Sequence, residues 1–245
     1  MSRNAQSLGL AQDTQVLTPP RPVLVADPML HSPPREWTGR GFFRALALRL
    51  FLAAGKGAAP RTVLFCSTER ASRHALISAR VAQALAEVTN LSLCLLDADL
   101  RSPRLHEVLG CSNQQGLGDF LRSGVDVSGL VQPTGTPKLG LVAAGANATN
   151  GEALIFSERL GICVGELRSR FDCVLMQGPP VCGDEEAVWM GRLTDGVVLV
   201  LEAGVSRREK ALRAKWSFEE AGVKVLGAVL NGEQSPIPGV LERLL

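Results

Sequence analysis

Short apolar runs alternate with amphipathic stretches from residue 61 onwards. The runs are rich in aliphatic and β-branched residues, as strands buried on both faces are, and they lie at 62–67, 91–97, 139–143, 172–177, 196–201 and 223–230. Helical periodicity fills the intervals, at 75–88, 101–109, 152–169, 184–192 and 207–221. This alternation predicts an α/β fold with a doubly wound, mostly parallel sheet, in which ligands bind beyond the carboxyl ends of the strands.

The N-terminal part of the chain follows a different pattern. Residues 1–36 contain six prolines and no helical period, which predicts a disordered or extended tail before a single domain over 37–245. Apolar residues recur at helical spacing within 41–54, a stretch too short to cross a bilayer. We expect this helix to pack on its own domain. The alternative is peripheral contact with a membrane or a partner, which the local excess of arginine favours.

Composition narrows the class of protein. Of the 245 residues, 46% are hydrophobic and 20% are charged, so the chain can bury a sizeable core. The net charge of +2 gives no indication of nucleic-acid binding. No apolar run approaches the roughly 20 residues of a membrane span, and the first residues lack the apolar segment of a signal peptide. The six cysteines show no paired spacing, which predicts reduced thiols in the cytoplasm.

Three strand ends contain the candidate chemistry. The turn after the first of these strands, from Arg70 to Leu76, leads into a helix whose amides would attract phosphate, yet it contains neither glycine nor lysine. The second strand ends in Asp97 and Asp99, two carboxylates well placed to bind Mg²⁺. The alternative is that Asp99 caps the next helix and Asp97 only ends the strand. The fourth strand ends in Gln177, whose side chain we expect to face the site.

Several motifs, taken in order, resemble the P-loop ATPases of bacterial exopolysaccharide synthesis. That family contains tyrosine kinases and capsule regulators and is itself similar to the MinD/ParA ATPases. The resemblance covers about residues 37–245 and is carried by Leu95–Arg104 (LLDADLRSPR), Gly116–Leu121 (GLGDFL), Val142–Gly145 (VAAG), Phe171–Val181 (FDCVLMQGPPV), Asp195–Leu201 (DGVVLVL) and Gly227–Asn231 (GAVLN). It implies a P-loop NTPase-like fold, ATP or ADP with Mg²⁺ as ligands, and Asp97 as a magnesium ligand.

The chain departs from this family at the residues that perform the chemistry. The resemblance places the nucleotide-binding loop at Arg70, Ala71, Ser72, Arg73, His74, Ala75 and Leu76. The family has glycines there, which let the backbone approach phosphate oxygens, followed by a lysine and a hydroxyl residue. His74 replaces the lysine, Ala75 replaces the hydroxyl that binds Mg²⁺, and Gln177 replaces the Walker B aspartate. The catalytic remnants are then Asp97, Asp99 and Gln177, and ordinary ATP hydrolysis is not expected.

These departures predict a non-catalytic member of the family, a pseudo-kinase or pseudo-ATPase of exopolysaccharide biosynthesis or export. The chain also contains no tyrosine, whereas the family's kinases autophosphorylate a tyrosine cluster. The resemblance implies an inner-membrane polysaccharide co-polymerase or chain-length regulator as partner, and a cytoplasmic location at the inner face of the membrane. Two alternatives stay open: an active ATP-binding tyrosine kinase or ATPase with a non-standard loop, and a MinD/ParA-like positioning protein, which would need an ATP switch.

Overall fold

The computed structural model describes residues 23–27, 39–52, 59–70, 73–146, 152–181 and 185–231. Strands in this part of the chain form one eight-stranded sheet: β1 (Val23–Asp27), β2 (Thr62–Ser67), β3 (Leu93–Asp97), β4 (Val131–Pro133), β5 (Leu139–Val142), β6 (Cys173–Gln177), β7 (Gly196–Glu202) and β8 (Val225–Asn231). Their order is β1-β8-β7-β2-β6-β3-β5-β4, and only the β4–β5 pair is antiparallel. The predicted doubly wound, mostly parallel fold is confirmed.

Helices cover both faces of this sheet. They are α1 (Gly39–Ala47), α2 (His74–Val88), α3 (Leu105–Leu109), α4 (Leu117–Ser123), α5 (Val127–Leu130), α6 (Glu158–Arg170), α7 (Glu185–Gly191) and α8 (Arg208–Glu220). A π-helical turn (Leu48–Leu52) extends α1, and a 3₁₀ turn (Glu152–Phe156) precedes α6. The six predicted strands are confirmed to within two residues at each end. The helix predicted from residue 101 begins at Leu105 instead, because the preceding residues form turns around the end of β3.

Four described elements were not predicted from the sequence: β1, β4, α4 and α5. The strand β1 falls within the segment expected to be a disordered or extended tail, and it pairs in parallel with β8 at the edge of the sheet. The other residues of 1–36 lie outside the described part of the chain. The domain boundary after residue 36 therefore stays a prediction.

Residues 41–52, the described part of the predicted helix at 41–54, pack on their own domain, as we expected from the sequence. Phe42, Leu46 and Phe51 are each no more than 3% exposed, and they belong to the same buried cluster as Val63 and Phe65 of β2. The apolar side of this helix is thus used in the core, because it covers one face of the central strands. Within the described residues, no helix is long and apolar enough to cross a membrane.

The strand order fixes where a ligand would bind. The chain crosses from β2 past β6 to β3 on one side, whereas it returns from β6 past β2 to β7 on the other. A reversal of this kind opens a crevice beyond the carboxyl ends of the strands beside it. The N-terminus of α2 and the ends of β3, β6 and β7 meet at this crevice, so the predicted site residues lie on neighbouring elements.

Candidate functional site

At its described end, the loop from β2 to α2 has an ordinary backbone conformation that does not require glycine. Arg70 is exposed, and Arg73 has a φ of −91°, outside the left-handed region. The next residues, His74 and Ala75, open α2 and are each 5% exposed. Ala71 and Ser72 lie outside the described residues.

His74 points into the fold rather than towards solvent. Its Nε2 lies 3.1 Å from the carbonyl oxygen of Gly178, just beyond β6. The same nitrogen lies 4.0 Å from Oδ2 of Asp99, just beyond β3. The imidazole therefore connects the N-terminus of α2 to two neighbouring strand ends. A short, enclosed ring in this position cannot act as the long, mobile lysine of a phosphate-binding loop does.

A carboxylate of the chain accepts a hydrogen bond from the backbone amide of the residue that caps the N-terminus of α2. The N–H of Arg73 donates to Oε1 of Glu202, at the end of β7, over 2.8 Å. The other oxygen, Oε2, accepts from Nδ2 of Asn231 over 2.9 Å, and Glu202 and Asn231 are register partners on β7 and β8. Amides at a helix N-terminus are anion sites. An internal anion thus takes the place at this end of α2 where the family resemblance implies phosphate.

Asp97 ends β3 and is fully buried. Its Oδ2 accepts from the backbone N–H groups of Arg104 and Leu105, over 3.1 and 2.9 Å, and so it caps the first turn of α3. Burial is the main cause that raises the pKa of Asp97 to about 7, and the hydrogen bond from Leu105 opposes this rise. Burial thus disfavours the charged form of this carboxyl.

Asp99 serves the turn that follows β3. Its Oδ1 accepts from the N–H of Ser102 over 3.1 Å, and its pKa is raised because its burial outweighs the hydrogen bonds and arginine charges that lower it. The alternative drawn from the sequence gave the helix cap to Asp99 and no role to Asp97. The structure corrects this assignment: Asp97 caps α3, because the chain turns back over the end of β3 before the helix starts.

Gln177 is placed beside Asp97 but turned towards α2. The two residues are register partners at the ends of β6 and β3. The Oε1 of Gln177 accepts from the hydroxyl of Ser78 over 2.9 Å, and its Nε2 lies 3.4 Å from the carbonyl oxygen of Gly178. Its side chain is 1% exposed. Gln177 therefore fastens α2 to the sheet instead of presenting a free polar group to the crevice.

The remaining donors do not form a metal centre. Among the described residues, no group of three or more histidine, cysteine, aspartate or glutamate side chains is placed to hold a metal ion. Leu76, the last residue of the predicted loop, is partly buried on α2 and supplies no polar group. At the described positions of the loop, His74 and Ala75 stand where the family resemblance implies a lysine and a hydroxyl residue.

Two residues that complete this arrangement were not singled out from the sequence. Glu202 follows the apolar run of β7, and Ser78 lies on the inner side of α2, where it is fully buried. A charged residue directly after a buried parallel strand was the available signal for Glu202, since such strands end at the ligand edge of the sheet. Ser78 gave no signal, because a serine within a helix is unremarkable until its partner is known.

Comparison with known proteins identifies bacterial tyrosine kinases as relatives of this chain. CapB of Staphylococcus aureus, named as a tyrosine-protein kinase, is 29% identical over 171 residues, which cover 70% of this chain and 75% of CapB. The tyrosine-protein kinase Wzc of Salmonella typhi is 29% identical over 143 residues, but these cover only 20% of Wzc and 58% of this chain. No protein-family model matches the chain.

Solved structures agree with this assignment at the level of the fold. The chimeric protein CapA2B2 superposes with a TM-score of 0.76 at 22% identity, covering 87% of this chain and 95% of the chimera. The kinase domain of Escherichia coli ETK gives 0.75 at 23%, covering 81% and 77%. MinD of Pyrococcus horikoshii, solved with Mg-ADP, gives 0.62 at 19%, covering 72% and 74%. The resemblance indicated by the motifs is confirmed: the homologues of this chain are bacterial tyrosine kinases, and its fold is that of the P-loop ATPases.

Proposed function

We propose that this protein is a non-catalytic member of the bacterial tyrosine-kinase group, which acts in exopolysaccharide biosynthesis or export. In this role it is a cytoplasmic docking subunit for a membrane polysaccharide co-polymerase or chain-length regulator, and it neither hydrolyses ATP nor transfers phosphate. The pathway and the partner follow from the resemblance to the exopolysaccharide family and from the homologous kinases, CapB and Wzc among them.

The contact between Arg73 and Glu202 is the observation that carries the non-catalytic part of the proposal. In this 2.8 Å hydrogen bond, a carboxylate of the chain itself accepts from the amide of the residue that caps α2. A nucleotide phosphate would have to displace that carboxylate and then lie near its negative charge. Repulsion between like charges at such a distance costs several kcal/mol at an effective dielectric of about 20. The nearby His74 offers no compensating cation of fixed charge.

Calorimetric titration with Mg²⁺-ATP and with Mg²⁺-ADP tests this proposal. We expect no binding up to millimolar nucleotide, either for the wild-type chain or for Asp97→Ala. Micromolar binding that disappears in Asp97→Ala would contradict it, because the remaining carboxylate would then be holding the metal of a working site. Circular dichroism of Asp97→Ala serves as the control that this buried substitution has left the protein folded.

The pathway is tested separately in cells. Deleting the gene is expected to change the amount or length of surface polysaccharide, and a copy carrying Glu202→Gln is expected to restore it as well as the wild type does. Unchanged polysaccharide after deletion would overturn the assigned pathway, whatever the calorimetry shows.

An active enzyme with a non-standard loop is the second candidate. The observation in its favour is Asp97, whose Oδ1 has no hydrogen-bond partner among the described residues although the atom is buried. Together with Asp99 it keeps two carboxylates at the end of β3, where the homologous kinases would hold their metal. The same titration separates the two candidates, since an enzyme must bind nucleotide and a docking subunit need not.

A further inference from the structure

A groove runs along α7, between the 3₁₀ turn that precedes α6 and the C-terminal half of α8. It encloses about 470 Å³, and its lining includes Phe156, Val188 and Trp189 together with Glu185, Arg192 and Glu220. Ligand sites in proteins have volumes of about 300–1,000 Å³. The groove shares no lining residue with the crevice around His74 and Asp97, so it is a separate candidate site.

Two aromatic side chains give the groove an apolar surface. The rings of Phe156 and Trp189 lie 6.3 Å apart, measured between their centroids, and are tilted by 48°. The indole N–H of Trp189 donates to the carbonyl oxygen of Ile155 over 3.1 Å, which fixes the orientation of that ring. Phe156 is still 45% exposed. Paired aromatic rings with this exposure can pack against a further apolar group.

Three charged side chains at the groove lack a partner of opposite charge. Across the described part of the chain, no salt bridge involves Glu185, Arg192 or Glu220, and all three are exposed. The next charged residues along this side of α8, Glu209 and Arg213, lie one turn apart and have opposite signs. The two free carboxylates suit a cation, and the guanidinium suits hydrogen-bond acceptors. A fitting ligand therefore combines apolar groups, one cation and free carbonyl oxygens.

The amino-acid sequence contains a segment with this chemistry. Residues 18–22, outside the described part of the chain, read Thr-Pro-Pro-Arg-Pro. Consecutive prolines favour a polyproline II conformation, in which no internal hydrogen bond occupies the carbonyl groups. Proline-rich segments with two prolines three residues apart dock in aromatic-lined grooves. Pro19 and Pro22 have this spacing, and Arg21 between them supplies the cation.

We propose that the groove along α7 binds residues 18–22 of a second copy of this chain. The prolines of the segment pack against the two aromatic rings. The guanidinium of Arg192 donates to a carbonyl oxygen of the segment, and Arg21 pairs with Glu185 or Glu220. Each copy thus offers one groove and one proline-rich segment, and the contact is between unlike surfaces of the two copies.

The position of β1 selects a second copy over the same molecule. Pro22 directly precedes β1, whose first residue, Val23, pairs with Gly227 of β8 at the edge of the sheet. Helix α7 packs on β2, which lies three strand spacings, or about 14 Å, from β1. Pro20, in the middle of the segment, precedes Val23 by only about 9 Å of polyproline II chain. Residues 18–22 are therefore too close to β1 to lie in the groove of their own molecule.

Sedimentation velocity of the full chain, from micromolar to near-millimolar concentration, tests the proposal. The contact is short, so we expect association only towards the upper end of this range. Pro19→Ala with Pro22→Ala should weaken association about tenfold, because the segment loses both apolar contacts and preorganisation. Phe156→Ala should have a similar effect. Leu212→Ala is the matched control, because Leu212 is 36% exposed on α8 but does not line the groove.

Charge reversal tests the polar part of the contact. Arg21→Glu, and separately Glu185→Arg with Glu220→Arg, should each weaken association about fivefold, because like charges then meet. Mixing these two variants should restore association, and so should combining all three substitutions in one chain. These positions are exposed or outside the described residues, and thermal unfolding followed by circular dichroism checks that each variant is folded.

A synthetic peptide of residues 15–23 identifies the occupant of the groove. Added in excess to the full chain, it should dissociate the assembly. Three results would overturn the proposal: a chain that stays monomeric throughout, association that survives both the proline and the charge substitutions, or a peptide that binds to a chain that remains monomeric. The last result would mean that the groove takes prolines from another protein. None of these measurements involves nucleotide or polysaccharide, so they succeed or fail independently of the proposed function.

Discussion

The turn before α4 keeps a motif of the family that the chain resembles, whereas the loop before α2 departs from one, and different partners constrain their backbones. At the turn, the Gly116 N–H donates to Oδ2 of Asp119 over 2.9 Å, and the Leu117 N–H donates to the carbonyl oxygen of Ala143 over 2.8 Å. A β-carbon on Gly116 would lie 2.0 Å from that same carbonyl oxygen. The neighbouring Gly145 has a φ of +95°. Here the chain itself needs glycine.

The loop before α2 has no glycine and no visible strain at its described end. Arg73 has an ordinary φ of −91°, its N–H donates to Glu202, and His74 fills the space next to Asp99 and Gly178. In the family, glycines in this loop serve the approach of a phosphate, not the approach of another part of the chain. At the described end of this loop, the side chain of His74 lies beside Asp99 and Gly178 instead.

The comparison teaches that a glycine can be required either by the fold or by a ligand. A glycine required by the fold is recognised by a backbone atom that a β-carbon would strike. A glycine required by a ligand leaves no such mark once it has been replaced. The glycine at residue 116 therefore indicates a requirement of the fold. The absence of glycine from residues 70–76 instead bears on which ligand the protein binds.

Replacing Gly116 is expected to have the largest effect on stability. Gly116→Ala forces the turn away from the Ala143 carbonyl and disturbs the start of α4, so we expect a loss of about 4 kcal/mol or more in the free energy of unfolding. Urea denaturation followed by circular dichroism measures it. Gly129→Ala is the matched control, because a β-carbon there meets nothing within 4 Å. If both variants unfold at the same urea concentration, the turn is not constrained as described.

The sequence predicted the sheet well because its strands are buried on both faces. Continuous apolar runs such as 196–201 have no other explanation in a parallel α/β fold, and their burial in β7 agrees. The edge strand β4 was not predicted, because its three residues are partly exposed and form no continuous apolar run. The short helices α4 and α5 were not predicted either, since fewer than two helical turns give little hydrophobic periodicity.

The candidate site was predicted in outline only. Its location followed from the motifs, because Asp97 and Gln177 end neighbouring strands. The roles of these residues depended on partners that no local pattern reveals. Along the chain, Glu202 lies 129 residues from Arg73, whose amide donates to it, and Ser78 lies 99 residues from Gln177. Contacts over such distances along the chain depend on the complete fold.

The second prediction concerns Asp97, at the carboxyl end of β3. A pKa raised from 3.8 to about 7 means that the folded chain holds this proton more tightly than the unfolded chain does. The associated stability is complete below about pH 4 and is lost as the pH rises through 7. Asp97→Asn keeps an oxygen for the N–H groups of Arg104 and Leu105 but does not titrate. Between pH 4 and pH 8 we expect it to lose less stability than the wild type, by roughly 2–4 kcal/mol.

Urea denaturation at a series of pH values measures this difference. Asp126→Asn is the control, because Asp126 is exposed and its hydrogen bonds with Ser128 lower its pKa, so its effect has the opposite sign. Equal pH dependence of Asp97→Asn and the wild type would mean that Asp97 is hydrated or already paired with a cation. The surroundings of Asp97 would then be more accessible to water or to a cation than its contacts indicate.

The smallest expected effect belongs to Glu202, and it tests whether the loop needs its internal anion. Glu202→Ala removes the acceptor for the Arg73 N–H and for Nδ2 of Asn231. Arg73 is exposed, but Asn231 is only 1% exposed and loses a buried partner, so we expect a loss of about 1–2 kcal/mol in the free energy of unfolding. Glu87→Ala, at an exposed position late in α2, is the control and should change stability by less than about 0.5 kcal/mol. Calorimetry on Glu202→Ala should still show no Mg²⁺-ATP binding, because His74 remains against Asp99 and Gly178. If this one substitution confers nucleotide binding, Glu202 alone prevents binding at a site that is otherwise competent. The difference between the two motifs would then depend on a single carboxylate.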